Sequence, residues 1–179
     1  MKKLFTTLSI ALGAAALTAT VADAHHSFAM FDGQTQMVKT GTVVRWAFNN
    51  PHSWLYLNIK NPDGTETLWS FEGSAPTGLI QRGITGDTFK PGATVTFMYC
   101  PLRDGRPGGA IGWAKLDDGK YLNPADGGCN GGEENQKKWT EWLGKGYTSS
   151  KQAEAAGDSL PQAQQAQPAQ QAQSQARSQ

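Results

Sequence analysis

The chain has three histidines, His25, His26 and His52, and their types and spacing could do metal chemistry. If His25 is the first residue of a processed chain, its free α-amine and its ring Nδ1 can chelate one metal ion together. An imidazole from His52 would complete a T-shaped site of three nitrogens, a histidine brace, with His26 as the other candidate ligand. Planar nitrogen donors suit Cu(II), and the usual affinity order of the divalent metals favours copper. The pattern predicts a copper site; structural or pH-sensitive histidine roles are the alternative.

An export signal would expose that amine. Residues 1–24 begin with Lys2 and Lys3, continue as an apolar stretch and end in Ala22-Asp23-Ala24, which is the anatomy of a secretory signal with its A-x-A cleavage site. We expect cleavage after residue 24, a periplasmic or secreted protein and no membrane span after processing. An uncleaved N-terminal anchor is the alternative.

The charge balance argues against a polyanionic partner. Removing Lys2, Lys3 and Asp23 from the 16 basic and 15 acidic residues leaves 14 of each, with no long run of Lys or Arg. Such a chain lacks the basic surface that binds a phosphate backbone or an anionic membrane. We expect no nucleic acid partner.

Apolar residues alternate with polar ones through most of the chain, which is the period of β-strands. Five strands are predicted, with turn signals such as Asn61-Pro62-Asp63-Gly64 between them and a short helix, residues 75–82, after the third. This β-β-β-α-β-β order predicts a mainly β fold, a small five-stranded OB-like Greek-key barrel with a disordered C-terminal tail. A small sandwich or an open meander is the alternative. The strands are predicted at 37–48, 52–60, 66–72, 93–100 and 109–116.

The C-terminal composition limits the domain. From residue 148 onward the chain is mostly Gln, Ala and Ser, which cannot bury enough apolar surface to offset the entropy of ordering. An Ala/Gln helix docked on a partner is the alternative. The predicted divisions are the signal 1–24, an N-terminal arm 25–36, the barrel 37–122, a disulfide-tethered extension with a short helix 123–147, and the disordered tail 148–179.

Several short motifs in a fixed order resemble a known family. They include His25-His26-Ser27-Phe28, Asn50-Pro51-His52-Ser53-Trp54 and Trp69-Ser70-Phe71-Glu72-Gly73, followed by Arg82-Gly83 and Pro101-Leu102-Arg103-Asp104-Gly105. The chain resembles the uncharacterised periplasmic proteins grouped as domain of unknown function 6152, over about residues 25–122. That resemblance implies no established activity, substrate or catalytic residue.

The two cysteines, Cys100 and Cys129, are an even pair in a chain predicted to be exported, which favours one disulfide. Metal ligation or redox exchange by the thiols is the alternative, although the C-x-x-C spacing is missing. Beyond Cys129, Trp139 and Trp142 have helical spacing. They would pack on the barrel or bind a protein partner.

No enzyme motif is present: there is no G-x-S-x-G, P-loop or H-E-x-x-H sequence. Glu72 and Asp104 could pair as carboxylates, but isolated acids of this kind usually cap turns or are solvated. Trp54, Tyr56 and Trp46 are candidate platforms for a small organic, saccharide or peptide ligand. The sequence therefore predicts a non-catalytic binding or accessory protein for a metal ion or small ligand, with a structural or interaction role as the alternative.

Overall fold

A computed structural model describes residues 28–160 and places six strands and three helices in them. A 3-10 turn, Phe28–Met30, precedes the first strand. The elements are β1 (Met37–Ala47), β2 (Ser53–Lys60), β3 (Glu66–Gly73), α1 (Pro76–Gln81), β4 (Thr94–Pro101), β5 (Gly108–Leu116), β6 (Tyr121–Leu122), α2 (Glu133–Gly144) and α3 (Ser150–Ala155).

Strands β1 to β5 close into a barrel. β1 pairs antiparallel with both β2 and β4, β2 with β3, and β4 with β5. The barrel closes through a parallel pairing of β3 with β5, in which Ser70 lies opposite Gly108. This is the strand order of the OB-fold. The predicted mainly β, OB-like Greek-key barrel is confirmed, and the sandwich and the open meander are wrong.

Two glycines allow that closure. A Cβ atom on Gly108 would collide with the carbonyl of Ser70, and one on Gly109 with the carbonyl of Cys100. Only a residue without a side chain lets β5 approach both neighbouring strands this closely.

The alternation along β2 shows how the strand divides its side chains. Leu55, Leu57 and Ile59 are buried inside the barrel, while Trp54 and Tyr56 lie on the outer face and are half-buried. A strand sends successive side chains to opposite faces, so the sequence pattern produces this division directly.

Helix α1 packs against the barrel through its buried residue Leu79. Pro76 opens it at a position where no amide hydrogen is needed, and Gly83 follows its end with a φ of +73°. Leu79 and Ile84 are fully buried and belong to the interior cluster. The helix therefore fixes the segment after β3 against the barrel wall.

A second apolar cluster lies outside the barrel, under the C-terminal extension. Trp139 and Trp142 of α2 are fully buried there with Trp113 of β5. The predicted disulfide is present, with the Cα atoms of Cys100 and Cys129 5.5 Å apart. Since both α2 indoles are buried, a protein partner of the extension would meet its exposed polar side.

The structure corrects the predicted start of disorder at residue 148, because residues 148–160 are ordered. Ser149 and Gln152 form a capping box at the start of α3, and Ala153 and Leu160 are buried in the second cluster. Gln36 adds a backbone link, accepting a hydrogen bond from the amide of Ser150 at 2.8 Å. The rest of the predicted tail, 161–179, lies outside the described residues. No helix within residues 28–160 is long and apolar enough to cross a membrane.

Candidate metal centre

Three side chains from distant parts of the chain meet on the outer wall of the barrel. Nδ1 of His52 lies 2.7 Å from Oδ2 of Asp126 and 3.0 Å from Oε1 of Glu72. One ligand atom from each residue lies within 4.8 Å of the other two. Within residues 28–160, this is the group of His, Cys, Asp and Glu side chains with spacing suited to a metal ion.

Strand pairing positions His52 and Glu72. His52 follows the cis peptide bond between Asn50 and Pro51, directly before β2. The amide of Ser53 donates to the carbonyl of Ser74 at 3.2 Å, which holds the start of β2 beside the end of β3. Glu72 lies opposite Trp54 in the β2–β3 register, so its side chain shares the outer face with His52.

Asp126 lies on the loop that follows β6. Three successive backbone carbonyls of that loop accept hydrogen bonds from neighbouring groups. The amide of Ser74 donates to the carbonyl of Pro124 at 2.9 Å. Nη1 of Arg82 donates to the carbonyls of Asn123 and Ala125 at 2.8 and 2.9 Å. We call residues 123–126 the clamped loop.

The three side chains of the cluster are largely buried but remain in contact with solvent. The side chains of His52, Glu72 and Asp126 are 13%, 12% and 26% exposed. Partial burial strengthens the attraction between an imidazolium and two carboxylates, or between a cation and all three groups. Burial also lowers the pKa of the nearby Arg82 guanidinium, while the negative charge of Asp126 opposes that shift.

One imidazole nitrogen and two carboxylate oxygens can do two kinds of chemistry. A proton on Nδ1 of His52 can be shared with both carboxylates. The same three atoms can bind a divalent transition metal, because neighbouring ligands at about 2.1 Å from a metal lie about 3 Å apart. The two distances from Nδ1 match that spacing.

His25 and His26 lie outside the described residues, but the arm that follows them begins beside the cluster. A Cβ atom built on Gly128 would lie 2.9 Å from Cδ1 of Phe28, and one on Gly127 would lie 3.7 Å from the same ring. The ring of Phe28 therefore packs on the backbone that directly follows Asp126.

The three predicted aromatic platforms lie on different faces. Trp54 and Tyr56 share the outer face with His52, and the guanidinium of Arg45 lies 4.8 Å from the centre of the Tyr56 ring. Trp46 instead pairs with the buried Leu55. Its Nε1 donates to the carbonyl of Thr85 at 2.9 Å, and its ring packs edge-on against Phe89. Trp46 thus stabilises the barrel and lies off the outer face.

The candidate carboxylate pair of Glu72 and Asp104 takes separate partners. Glu72 lies beside His52, whereas Asp104 pairs with Arg106 at 2.8 Å on an exposed loop. Sequence reasoning missed Asp126 altogether. Its only local signal is a turn sequence, Pro124-Ala125-Asp126-Gly127, which is common in loops without a ligand.

Comparison with protein-family models matches residues 14–111 to "Family of unknown function (DUF6152)". The matched stretch contains the three histidines and Glu72 and ends before Asp126. No curated protein and no solved structure matches the chain.

Proposed function

The chain belongs to the family of unknown function DUF6152, and because that membership assigns no activity, we propose a function from the site itself. The protein is an exported, non-catalytic copper-binding or accessory protein. Its metal is Cu(II), bound by the α-amine and ring of His25 and by His52, with His26 as the other possible third ligand. Glu72 and Asp126 orient His52 or complete the coordination.

The convergence of His52, Glu72 and Asp126 is the observation that carries this proposal. A histidine that binds a metal commonly has a carboxylate fixing its ring, and His52 has two. The donors are nitrogen and oxygen, which suit Cu(II) and other divalent transition metals.

The position of Phe28 supports His25 as a further ligand. His25 precedes Phe28 by three residues, and a chain of that length spans at most about 10 Å. Since Phe28 packs against Gly127 and Gly128, the His25 amine can reach the neighbourhood of Asp126 and His52.

Export is part of the same proposal. An amine on His25 exists only after residues 1–24 are removed, so a secretory signal and a periplasmic or secreted location are required for the complete site. In an unprocessed chain the same nitrogen is an amide, which is a poor ligand for a metal ion at neutral pH.

The test is Cu(II) binding to processed protein whose N-terminus has been sequenced, by calorimetry and electron paramagnetic resonance. Two variants probe the ligands: an N-terminally acetylated chain, in which the nitrogen of His25 is an amide, and His52→Ala. Asp104→Asn is the matched control, because Asp104 is an exposed carboxylate far along the chain from the clamped loop. We expect one tightly bound copper with nitrogen hyperfine structure, lost in both variants and retained in the control. Weak binding that neither variant changes would refute the proposal.

The outer face supports a second candidate function, binding of a small organic, saccharide or peptide ligand. Trp54 lies beside the metal cluster, and Tyr56 with Arg45 continues the same face. Half-buried aromatic rings beside a guanidinium suit a flat ligand that carries an anionic group. Ligand-detected NMR with Trp54→Ala as the variant and Trp46→Phe as the control distinguishes this function from copper binding.

A further inference from the structure

Arg82 is exposed on part of its surface, yet its guanidinium makes three hydrogen bonds to backbone carbonyls. Nε donates to the carbonyl of Gly78 at 3.0 Å, within the segment of α1, and Nη1 donates to the carbonyls of Asn123 and Ala125. One side chain therefore joins helix α1 to the clamped loop.

The geometry around Gly78 leaves room for this arrangement. A Cβ atom on Gly78 would lie 3.5 Å from Nη2 of Arg82 and 3.1 Å from Oγ of Ser74. The guanidinium thus lies close over the backbone of α1, with its orientation set by the Nε bond. Its Nη1 is directed at the loop.

From these contacts we propose that Arg82 is the positioning residue of the metal site: it fixes Asp126 at the distance from His52 that metal binding needs. The inference rests on the proposed function and deepens it. Ala125, whose carbonyl Arg82 binds, directly precedes Asp126, so a shift of that carbonyl moves the carboxylate. Arg82 has no role as a ligand, since it is a cation beside a cation site.

Charge and geometry make opposite predictions for Arg82 variants. If the positive charge of Arg82 only repels a nearby metal, Arg82→Gln strengthens binding and Arg82→Lys leaves it unchanged. If Arg82 positions Asp126, both variants weaken binding, because a lysine has no second nitrogen that could bond the carbonyl of Gly78 while the first bonds the loop. We expect Cu(II) affinity to fall about tenfold in both variants, the usual effect of removing a residue that orients a ligand.

The experiment measures Cu(II) affinity of the processed full chain by competition titration for the wild type, Arg82→Lys, Arg82→Gln and Arg106→Gln. Arg106 is the matched control, an exposed arginine paired with Asp104. Two metal-free measurements accompany the titration: hydrogen exchange of the backbone amides of residues 123 and 125–127, and the ring nitrogen shifts of His52 by NMR. We expect faster exchange and altered ring shifts in both Arg82 variants, and wild-type behaviour in the control.

The outcomes separate the two claims. If the wild type binds no copper, the proposed function fails. Hydrogen exchange of the loop amides and the ring nitrogen shifts of His52 still decide whether Arg82 holds the loop beside His52. Unchanged ring shifts, or unchanged affinity in both Arg82 variants of a copper-binding protein, would overturn the positioning role. Weaker binding in both variants together with altered ring shifts would support it, and a thermal unfolding curve for each variant confirms that it is folded.

Discussion

The carboxylate of Asp126 lies 2.7 Å from Nδ1 of His52, although one residue precedes the second strand and the other follows the sixth. The contact exists because the barrel closes and the clamped loop returns across its outer wall. It turns an isolated histidine into a group with two acidic neighbours.

Replacing either acidic partner should weaken copper binding without unfolding the protein. Asp126→Asn and Glu72→Gln keep the size of each side chain and remove its charge, so we expect Cu(II) affinity to fall at least about tenfold. Competition titration measures the change, with Asp104→Asn as the control. Equal affinities in all of these proteins would show that the carboxylates take no part.

The Phe28 ring should hold the arm near the cluster. In Phe28→Ala the ring no longer packs on Gly127 and Gly128, and the amine of His25 must be ordered when the metal binds. We expect Cu(II) affinity to weaken by about 2- to 10-fold, because the arm is no longer pre-organised for metal binding. Met30→Ala, in the same arm and 45% exposed, is the control. A larger loss in the Met30 variant would contradict this role of Phe28.

The proposed ligands predict selectivity for oxidised copper. Nitrogen and carboxylate donors favour Cu(II), whereas Cu(I) prefers thiolate and thioether sulfur. Within the described residues both cysteines are in the disulfide, Met98 is fully buried in the second cluster, and the exposed Met30 offers a single thioether. Titration with a Cu(I)-specific chelator should therefore remove copper after reduction by ascorbate and leave Cu(II) bound before it. Retention of Cu(I) against that chelator would contradict the donor set.

Removing the disulfide should lower the stability of the fold. The bridge closes a loop of 29 residues in sequence separation, and on the chain-entropy model such a constraint stabilises by about 3–4 kcal/mol. Urea unfolding of a Cys100→Ser and Cys129→Ser double variant measures the loss. A midpoint equal to that of the wild type would show that the second cluster alone holds the extension.

Asp158 should make the C-terminal segment sensitive to acid. Hydrogen bonds from Lys138 and Lys145 hold its pKa below the ordinary value of 3.8. A carboxylate with a lowered pKa stabilises the folded state above its unfolded pKa and loses that contribution as pH falls through the folded value. Asp158→Asn should therefore be less stable than the wild type at neutral pH, with the difference shrinking below pH 3.8. Thermal unfolding across pH tests this, and a constant difference would contradict it; Glu154→Gln on α3 is the control.

The barrel could be predicted from sequence because its signals are local. Alternation of buried and outward side chains marks β2, and Asn61 with Gly64 marks the turn that follows it. Trp46 shows the limit of that approach. A bulge between Val43 and Arg45 inserts one residue and moves Trp46 to the face of Leu55. The local sequence pattern does not indicate such an insertion.

The candidate metal cluster could be predicted only in part. The sequence predicts His52 as a ligand by residue type and by its place at the start of a strand, but it offers Glu72 only as a possible carboxylate partner of Asp104. Asp126 was not predicted, because its position follows from Arg82 and Ser74 binding the carbonyls of the clamped loop. The order of residues 148–160 was missed for a related reason, since Ala153 and Leu160 are buried only against a surface that the barrel and α2 create.

The most direct test of the central claim is a crystal structure of the processed, copper-loaded protein with anomalous scattering recorded at the copper edge. The account predicts one copper peak at bonding distance from the His25 amine and from His52, with Asp126 and Glu72 beside the same ring. A copper peak bound elsewhere, with His52 held only by its two carboxylates, would contradict it.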